Sequence, residues 1–153
     1  MEFFTGIQKK LTKSLREQPL VQERVECLMS IPGVGEITAL TWVLEIGDPQ
    51  RFKNSRQAIS YCGLCSAQRE SAGKEQRGPS TKKRNKHIQT KLIEAAKLAP
   101  HWNPQLAVLH EKELKRGNRN RATLAVARKL VEYMLAVDRR GTPFAQEAPT
   151  QAA

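Results

Sequence analysis

A serine within a cation-rich stretch is the part of this sequence with the clearest chemical potential. Ser71 lies between Arg69 and Lys74, and Arg77 follows shortly after. Cationic side chains neutralise a phosphate group and favour the alkoxide of a hydroxyl that attacks it. No histidine is close in sequence to act as the base, and a loop serine commonly serves only to form a turn. The residues alone therefore permit phosphoryl chemistry at Ser71 without requiring it.

A run of basic side chains follows the serine. Lys82, Lys83, Arg84 and Lys86 fall within five consecutive positions. Side chains of this type contact the sugar–phosphate backbone of nucleic acids and contribute affinity without reading the bases. We expect these four residues to follow a nucleic-acid backbone.

The distribution of charge along the chain also favours a polyanionic partner. The chain has 153 residues, with 26 Lys and Arg against 15 Asp and Glu, which gives a net charge of +11. Residues 69–91 carry a net +6 and residues 112–128 a net +5, so these two blocks hold the whole excess. Concentration of this kind is typical of proteins that bind phosphate backbones. The alternative is a merely soluble basic surface.

Composition excludes several other classes of protein. Hydrophobic residues make up 39% of the chain and charged residues 27%, which indicates a globular protein rather than a disordered one. No apolar run approaches the roughly 20 residues that a membrane span needs, and no signal-peptide core is present. Three cysteines are an odd number, without a second pair to complete a metal site. We expect a cytoplasmic protein with reduced thiols, no metal site and no membrane partner.

Apolar residues recur at three- and four-residue spacing along most of the chain, which predicts an all-α fold. An amphipathic N-terminal arm over residues 1–19 presents the stripe Phe4, Ile7, Leu11 and Leu15 and ends at Pro19. The main domain is predicted over residues 20–141 and a disordered tail over 142–153. Helices are predicted at residues 21–29, 36–46, 55–61, 88–99, 104–116 and 122–137, with a long functional loop at 63–79.

A glycine-containing turn separates two of these predicted helices. The segment from Leu28 to Ala39 contains Pro32-Gly33-Val34-Gly35 and resembles the helix-hairpin-helix element of DNA repair and recombination proteins. Two glycines allow a tight turn, and the exposed amides of Gly33 and Gly35 at the start of a helix can hold one phosphate. A plain turn between two helices is the structural alternative.

Several motifs in fixed order resemble the C-terminal domain of one transposase family. This is the insertion-sequence "one-ten" (DEDD) family, which includes the pilin-gene invertases and the bridge-RNA-guided recombinases. The resemblance extends over about residues 25–144. Its motifs are Pro32-Gly33-Val34-Gly35, Glu45-Ile46-Gly47-Asp48, Tyr61-x-Gly63-Leu64, Ser71-x-Gly73-Lys74 and the helix from Ala122 to Leu130.

The resemblance implies a role for the serine and a set of partners. Ser71 falls on the family's nucleophile, which attacks a DNA phosphodiester and holds the strand end as a phosphoserine. Because of their charge and their positions near Ser71, Arg69, Lys74 and Arg77 are candidate phosphate clamps. The basic run that follows would then track DNA or a guide RNA.

The family also has a ribonuclease-H-like domain with four acidic, magnesium-binding residues, followed by a coiled coil. This sequence contains no counterpart of the acidic domain, and we interpret its arm as a remnant of the coiled coil. We therefore expect no cofactor in this chain, Mg²⁺ only through the missing domain, and a truncated copy, a fragment or a domesticated remnant that is not competent alone.

Two questions stay open at the level of sequence. The apolar stripe of the arm needs a covering surface, which is either a second copy in a dimer or tetramer or the chain's own domain. The function is either strand cleavage and transfer or non-catalytic binding of DNA or RNA by a helix-hairpin-helix module. A ribosome-associated RNA binder is a third possibility.

Overall fold

The regular structure of the chain is helical, as the sequence predicts. The computed structural model describes residues 2–65 and 85–145, and within them it contains α-helices and 3-10 turns but no strand. Short 3-10 turns cover Pro49–Arg51 and Ala99–His101. The α-helices are α1 (Glu2–Arg16), α2 (Pro19–Met29), α3 (Glu36–Ile46), α4 (Ser55–Tyr61), α5 (Lys86–Leu98), α6 (Pro104–Arg116) and α7 (Arg119–Arg140).

Asparagine side chains fix the starts of the last four helices. Asn54, Asn85, Asn103 and Asn118 each accept hydrogen bonds from backbone N–H groups in the first turn of the helix that follows. Such caps satisfy donors that have no partner inside the helix. The cap at Asn118 explains why α7 begins three residues before the predicted start at residue 122.

Proline acts at the start of a helix rather than at the end of the arm. The arm was predicted to end at Pro19, but α1 ends at Arg16 and Pro19 is the first residue of α2. A proline fits there because its missing N–H would have no helical partner. The arm and the main domain therefore meet in a two-residue link.

Helix α7 is the centre of the fold. Its inward face includes Val126, Leu130 and Met134, all fully buried, and it packs against α2, α4, α5 and α6. Ala127 and Val131 of the same helix are also fully buried, and Leu124 is half-buried. Burial of this apolar face supplies the main stabilisation of the helices around it.

A sealed polar cluster ties the C-terminal end of α7 to α2 and α3. Arg24 donates to both oxygens of Asp138, each at 2.8 Å, and its Nη2 also donates to the carbonyl of Gly47 at 2.8 Å. The indole Nε1 of buried Trp42 donates to Asp138 Oδ2 at 2.9 Å. The Asp138 carboxylate is fully covered, so its hydrogen bonds connect the three helices inside the protein. The apolar pattern of the sequence did not predict this cluster.

The arm helix α1 rests on α2 and leaves its apolar stripe exposed. Phe4 is 76% exposed and Leu11 59%, while Arg16 Nη1 pairs with Glu36 Oε1 at 2.7 Å across to α3. In this structure the chain's own domain therefore does not cover the stripe. Self-association through the stripe stays a prediction.

Candidate nucleic-acid interface

Three of the predicted site residues belong to the part of the chain that the structure describes. Gly33 and Gly35 lie in the turn between α2 and α3, and Lys86 is exposed at the first position of α5. The others lie outside the described residues: Arg69, Ser71, Lys74, Arg77, Lys82, Lys83 and Arg84.

The turn between α2 and α3 needs one of its two glycines. Gly33 has φ +100°, and a Cβ built on it would lie 2.6 Å from the Cβ of Ala99. Gly35 has φ −88° and open space around its missing side chain. Gly33 therefore has a conformation and a close contact that require glycine, whereas Gly35 has neither. Gly35 instead immediately precedes the helix, as predicted.

The start of α3 differs from the starts of α4 to α7. Its N-cap is Gly35, which has no side chain to accept the first amide protons. The amide groups of this turn therefore have no side-chain cap, and a helix N-terminus favours an anion. The acidic residue in this turn, Glu36, pairs with Arg16 at 2.7 Å. This pairing offsets the negative charge that would otherwise oppose a phosphate here.

Residues 66–84 carry Ser71 and are called the Ser71 segment below. The described residues just before this segment are held by hydrogen bonds to α5 and α7. Gly63, with φ +71°, closes α4, and Leu64 N donates to Ile59 O at 3.1 Å, which forms a Schellman-type end. The carbonyl of Gly63 accepts from Gln89 Nε2 at 2.9 Å, and that of Leu64 accepts from Arg128 Nε at 2.7 Å. The end of α4 is thus bound to α5 and to α7.

The described residues just after the segment are held in the same region. Asn85 caps α5 and donates its Nδ2 to the carboxylate of Glu45. The backbone carbonyl of Glu45 accepts from the hydroxyl of Tyr61 at 3.0 Å. Because Tyr61 and Asn85 both bind Glu45, the described residues on the two sides of positions 66–84 lie near the end of α3. Sequence reasoning named Glu45 and Tyr61 as motif members but did not predict these contacts.

A further cation lies beside this region. The guanidinium carbon of exposed Arg51 lies 4.5 Å from the ring centroids of both Phe52 and Tyr61. Stacking on two rings restricts this long side chain while its polar edge stays accessible. Arg51 is not among the residues that the sequence predicted for the site, because its contact with Tyr61 depends on how the chain folds.

The cysteines are free, and one of them is deeply buried. Burial raises the pKa of the Cys62 thiol to about 12, with a smaller opposite effect from Arg51. A thiol of this kind is inert because the thiolate is the reactive form. Within residues 2–65 and 85–145, no group of three or more His, Cys, Asp or Glu could hold a metal ion. None of the helices described is long and apolar enough to cross a membrane.

The described residues form an all-helical domain in which the start of α3 has no side-chain cap and suits contact with a phosphate. The model of the Transposase IS116/IS110/IS902 family matches residues 25–111, more than half of the chain. The chain belongs to this family.

Individual relatives agree with the family assignment. The chain is 25% identical over 142 residues to the transposase of insertion sequence element IS1328 from Yersinia enterocolitica, covering 90% of this chain and 42% of the relative. It is 30% identical over 121 residues to the transposase of IS1111A from Coxiella burnetii, covering 76% and 33%. A protein of insertion element IS110 from Streptomyces coelicolor is 24% identical over 123 residues, covering 80% and 30%. The chain thus spans less than half the length of these relatives.

Proposed function

We propose that this chain is the serine-bearing, DNA-binding part of a transposase, and that it cleaves and transfers DNA strands through Ser71. The observation that carries the proposal is the family match, which spans the whole basic segment around this serine. Two of the relatives are named as transposases for insertion sequence elements. The anchoring of both described flanks of the segment near Glu45 supports a site built at this position.

The proposed reaction is a transesterification at phosphorus. The Oγ of Ser71 forms a bond to the phosphorus of a DNA phosphodiester, and one bond from phosphorus to a sugar oxygen breaks. The serine proton is lost to a base, and the departing sugar oxygen takes up a proton to become a hydroxyl end. Attack of another strand's hydroxyl on the phosphoserine reverses these changes. The exchange conserves the number of ester bonds, so it requires no ATP.

Basic side chains would stabilise the charge of this transition state. Arg69, Lys74 and Arg77 are the proposed clamps on the reacting phosphate, because fixed cations stabilise charge that develops on its oxygens. The basic run with Lys82, Lys83, Arg84 and Lys86 would contact the phosphate backbone of DNA or of a guide RNA.

The turn between α2 and α3 would act as a helix-hairpin-helix phosphate anchor. Its support is the missing side-chain cap at Gly35 together with the Arg16–Glu36 pair that neutralises the acidic residue of the first turn. Amides at such a turn bind a phosphate without regard to sequence. This contact would fix the register of DNA relative to Ser71.

Two further parts of the proposal concern partners. Mg²⁺ would enter through an acidic ribonuclease-H-like domain of the family, either within a longer chain or as a separate protein. The exposed stripe of α1 would pair with a second copy, giving a dimer or tetramer in which two strands are exchanged.

A covalent adduct tests the proposed function most simply. The chain is incubated with a branched DNA junction carrying matched ends, Mg²⁺ and the acidic domain of a relative, and the products are separated under denaturing conditions. We expect a protein–DNA adduct with the unchanged chain and with Ser80→Ala, but none with Ser71→Ala. Ser80 is the matched control because it lies in the same basic stretch as Ser71. Absence of any adduct, with DNA binding intact in Ser71→Ala, would instead identify a non-catalytic binding module.

A further inference from the structure

A groove lies between α6 and α7. Apart from Arg128, none of the residues that line it has been described above as part of the candidate site. It has a volume of about 760 Å³. Its apolar floor includes Leu109, Leu124 and Ala125, and its charged residues include Arg121, Arg128 and Lys129. The block of residues 112–128 that carries a net +5 borders it.

A mostly covered carboxylate anchors the basic residues at one end of the groove. Glu113 is 16% exposed, and its Oε2 accepts from Arg121 Nε at 3.0 Å. Its other oxygen lies 4.0 Å from Arg116 Nη1. The two arginine side chains are themselves about 60% exposed, at 58% and 61%. The negative charge is thus turned inward while the positive groups face solvent.

The other end of the groove contains an arginine that contacts the end of α4. Arg128 lines the groove and donates its Nε to the carbonyl of Leu64 at 2.7 Å. Lys129 and Glu132 also line this end and pair at 2.7 Å, and this hydrogen bond raises the pKa of Lys129. The residues that line the groove thus run from the α6–α7 turn to the arginine that holds Leu64.

The two arginines of α7 that line the groove are held in a similar manner. Arg121 and Arg128 are each bound through Nε, so the edge formed by the two terminal nitrogens stays available for a bidentate acceptor. Their seven-residue separation corresponds to about 10.5 Å along the helix axis. A strand of DNA advances by roughly 3.4 Å per nucleotide, so this spacing suits phosphates about three nucleotides apart.

We propose that the groove between α6 and α7 binds the phosphate backbone of DNA and guides it toward the segment that carries Ser71. Arg121 and Arg128 contact phosphates, and Glu113 is a positioning residue that orients Arg121 and Arg116. This inference rests on the proposed function for the identity of the polyanion and extends it to a second contact surface. At the α6–α7 end of the groove the Glu113 carboxylate is mostly covered while Arg116 and Arg121 face solvent, and this arrangement fits a polyanion.

The role of Glu113 gives the most discriminating experiment. Glu113→Ala and Glu111→Ala each remove one carboxylate from α6, but Glu111 is exposed and makes no ion pair among the described residues. Simple charge counting predicts that both variants bind DNA more tightly. We expect Glu111→Ala to bind slightly more tightly and Glu113→Ala about threefold more weakly, because its arginines lose their orientation. Equal tightening in both variants would overturn the positioning role.

The contact of Arg121 has its own matched control at the far end of the same helix. Fluorescence anisotropy with a labelled 30-base-pair duplex gives affinity at several salt concentrations for Arg121→Ala and Arg140→Ala. We expect Arg121→Ala to lose about tenfold in affinity and to reduce the salt slope by about 0.9. Arg140→Ala should lose less affinity for the duplex. Equal losses of affinity in both variants would contradict the proposal that the groove is a specific DNA-binding surface. Thermal unfolding monitors the fold of each variant.

These outcomes separate the groove from the serine. If Arg121→Ala and Glu113→Ala bind normally while the Ser71-dependent adduct forms, the groove proposal fails and the proposed function stands. If the groove variants lose DNA affinity and no adduct forms, the groove stands without catalysis. A folded RNA that competes better than the duplex for the groove would overturn DNA as its ligand.

Discussion

The two ends of α7 carry arginine–carboxylate networks of opposite design. Near its C-terminal end, Asp138 binds Arg24 and Trp42 and is fully covered. Near its N-terminal end, Glu113 is largely covered, but the Arg121 side chain that it binds is more than half exposed. The Asp138 network is closed, because its groups are satisfied within the protein. The Glu113 network is open, because it holds cations at the surface. The first stabilises the fold, and the second prepares donors for a ligand.

The largest effect is expected at the closed network. Asp138→Ala leaves Arg24 without its carboxylate and Trp42 without its acceptor, so we expect a loss of about 3–5 kcal/mol in the free energy of unfolding. Denaturant unfolding measures this, with Glu23→Ala on exposed α2 surface as the control. An unchanged unfolding midpoint in Asp138→Ala would show that the closed network does not stabilise the fold.

The turn between α2 and α3 allows a second comparison, between its two glycines. Gly33→Ala forces a side chain onto φ +100° and into contact with Ala99, which should cost about 2–3 kcal/mol. Gly35→Ala meets open space at an ordinary φ, so we expect less than about 1 kcal/mol. Thermal unfolding of both variants tests this order. Equal destabilisation would mean that the close approach to Ala99 is not what requires glycine.

A smaller effect is expected at the start of α7. Asn118 accepts the N–H of Arg121 at 3.0 Å, so Asn118→Ala removes a cap and should cost about 1 kcal/mol of stability. This is well below the loss expected for Asp138→Ala at the other end of the same helix. Chemical unfolding of the two variants under one set of conditions gives the ratio. A larger loss of stability in Asn118→Ala than in Asp138→Ala would contradict the conclusion that the Asp138 network contributes more to the fold than the start of α7 does.

The smallest effect at neutral pH is that of the buried thiol of Cys62, which influences stability only in alkaline solution. Its pKa is raised to about 12 in the folded chain, against 9.0 for an ordinary thiol. Between these pH values the unfolded chain loses a proton that the folded chain keeps, so stability should fall as pH rises from 9 toward 12. Cys62→Ala should flatten this part of the stability–pH curve relative to Cys65→Ala, whose thiol is exposed. An identical slope in both variants would refute the effect of burial.

Helix positions were largely predictable because local signals and tertiary packing agree. The helices predicted at residues 36–46, 55–61 and 104–116 have the same bounds in the structure, and Asn54 and Asn103 cap the last two. The exception at Pro19 arose because proline ends a helix and also favours the first turn of the next. Only the turn geometry separates these two roles.

The contacts of the candidate site were not predictable in the same way. Glu45 and Asn85 are 40 residues apart, and Leu64 and Arg128 are 64 apart. Such pairs depend on how helices pack, and a single sequence carries no periodic signal for them. The charge of residues 112–128 was evident, but the inward position of Glu113 that organises it was not.

The most direct test of the central claim is to locate the covalent link by mass spectrometry. Adduct formed with the junction DNA, Mg²⁺ and an acidic domain is digested with nuclease and protease, and the nucleotide-bearing peptide is fragmented. We predict a nucleotide phosphate attached to the Oγ of Ser71. A link at another side chain, or no linked peptide while the duplex is bound, would contradict the proposed serine chemistry.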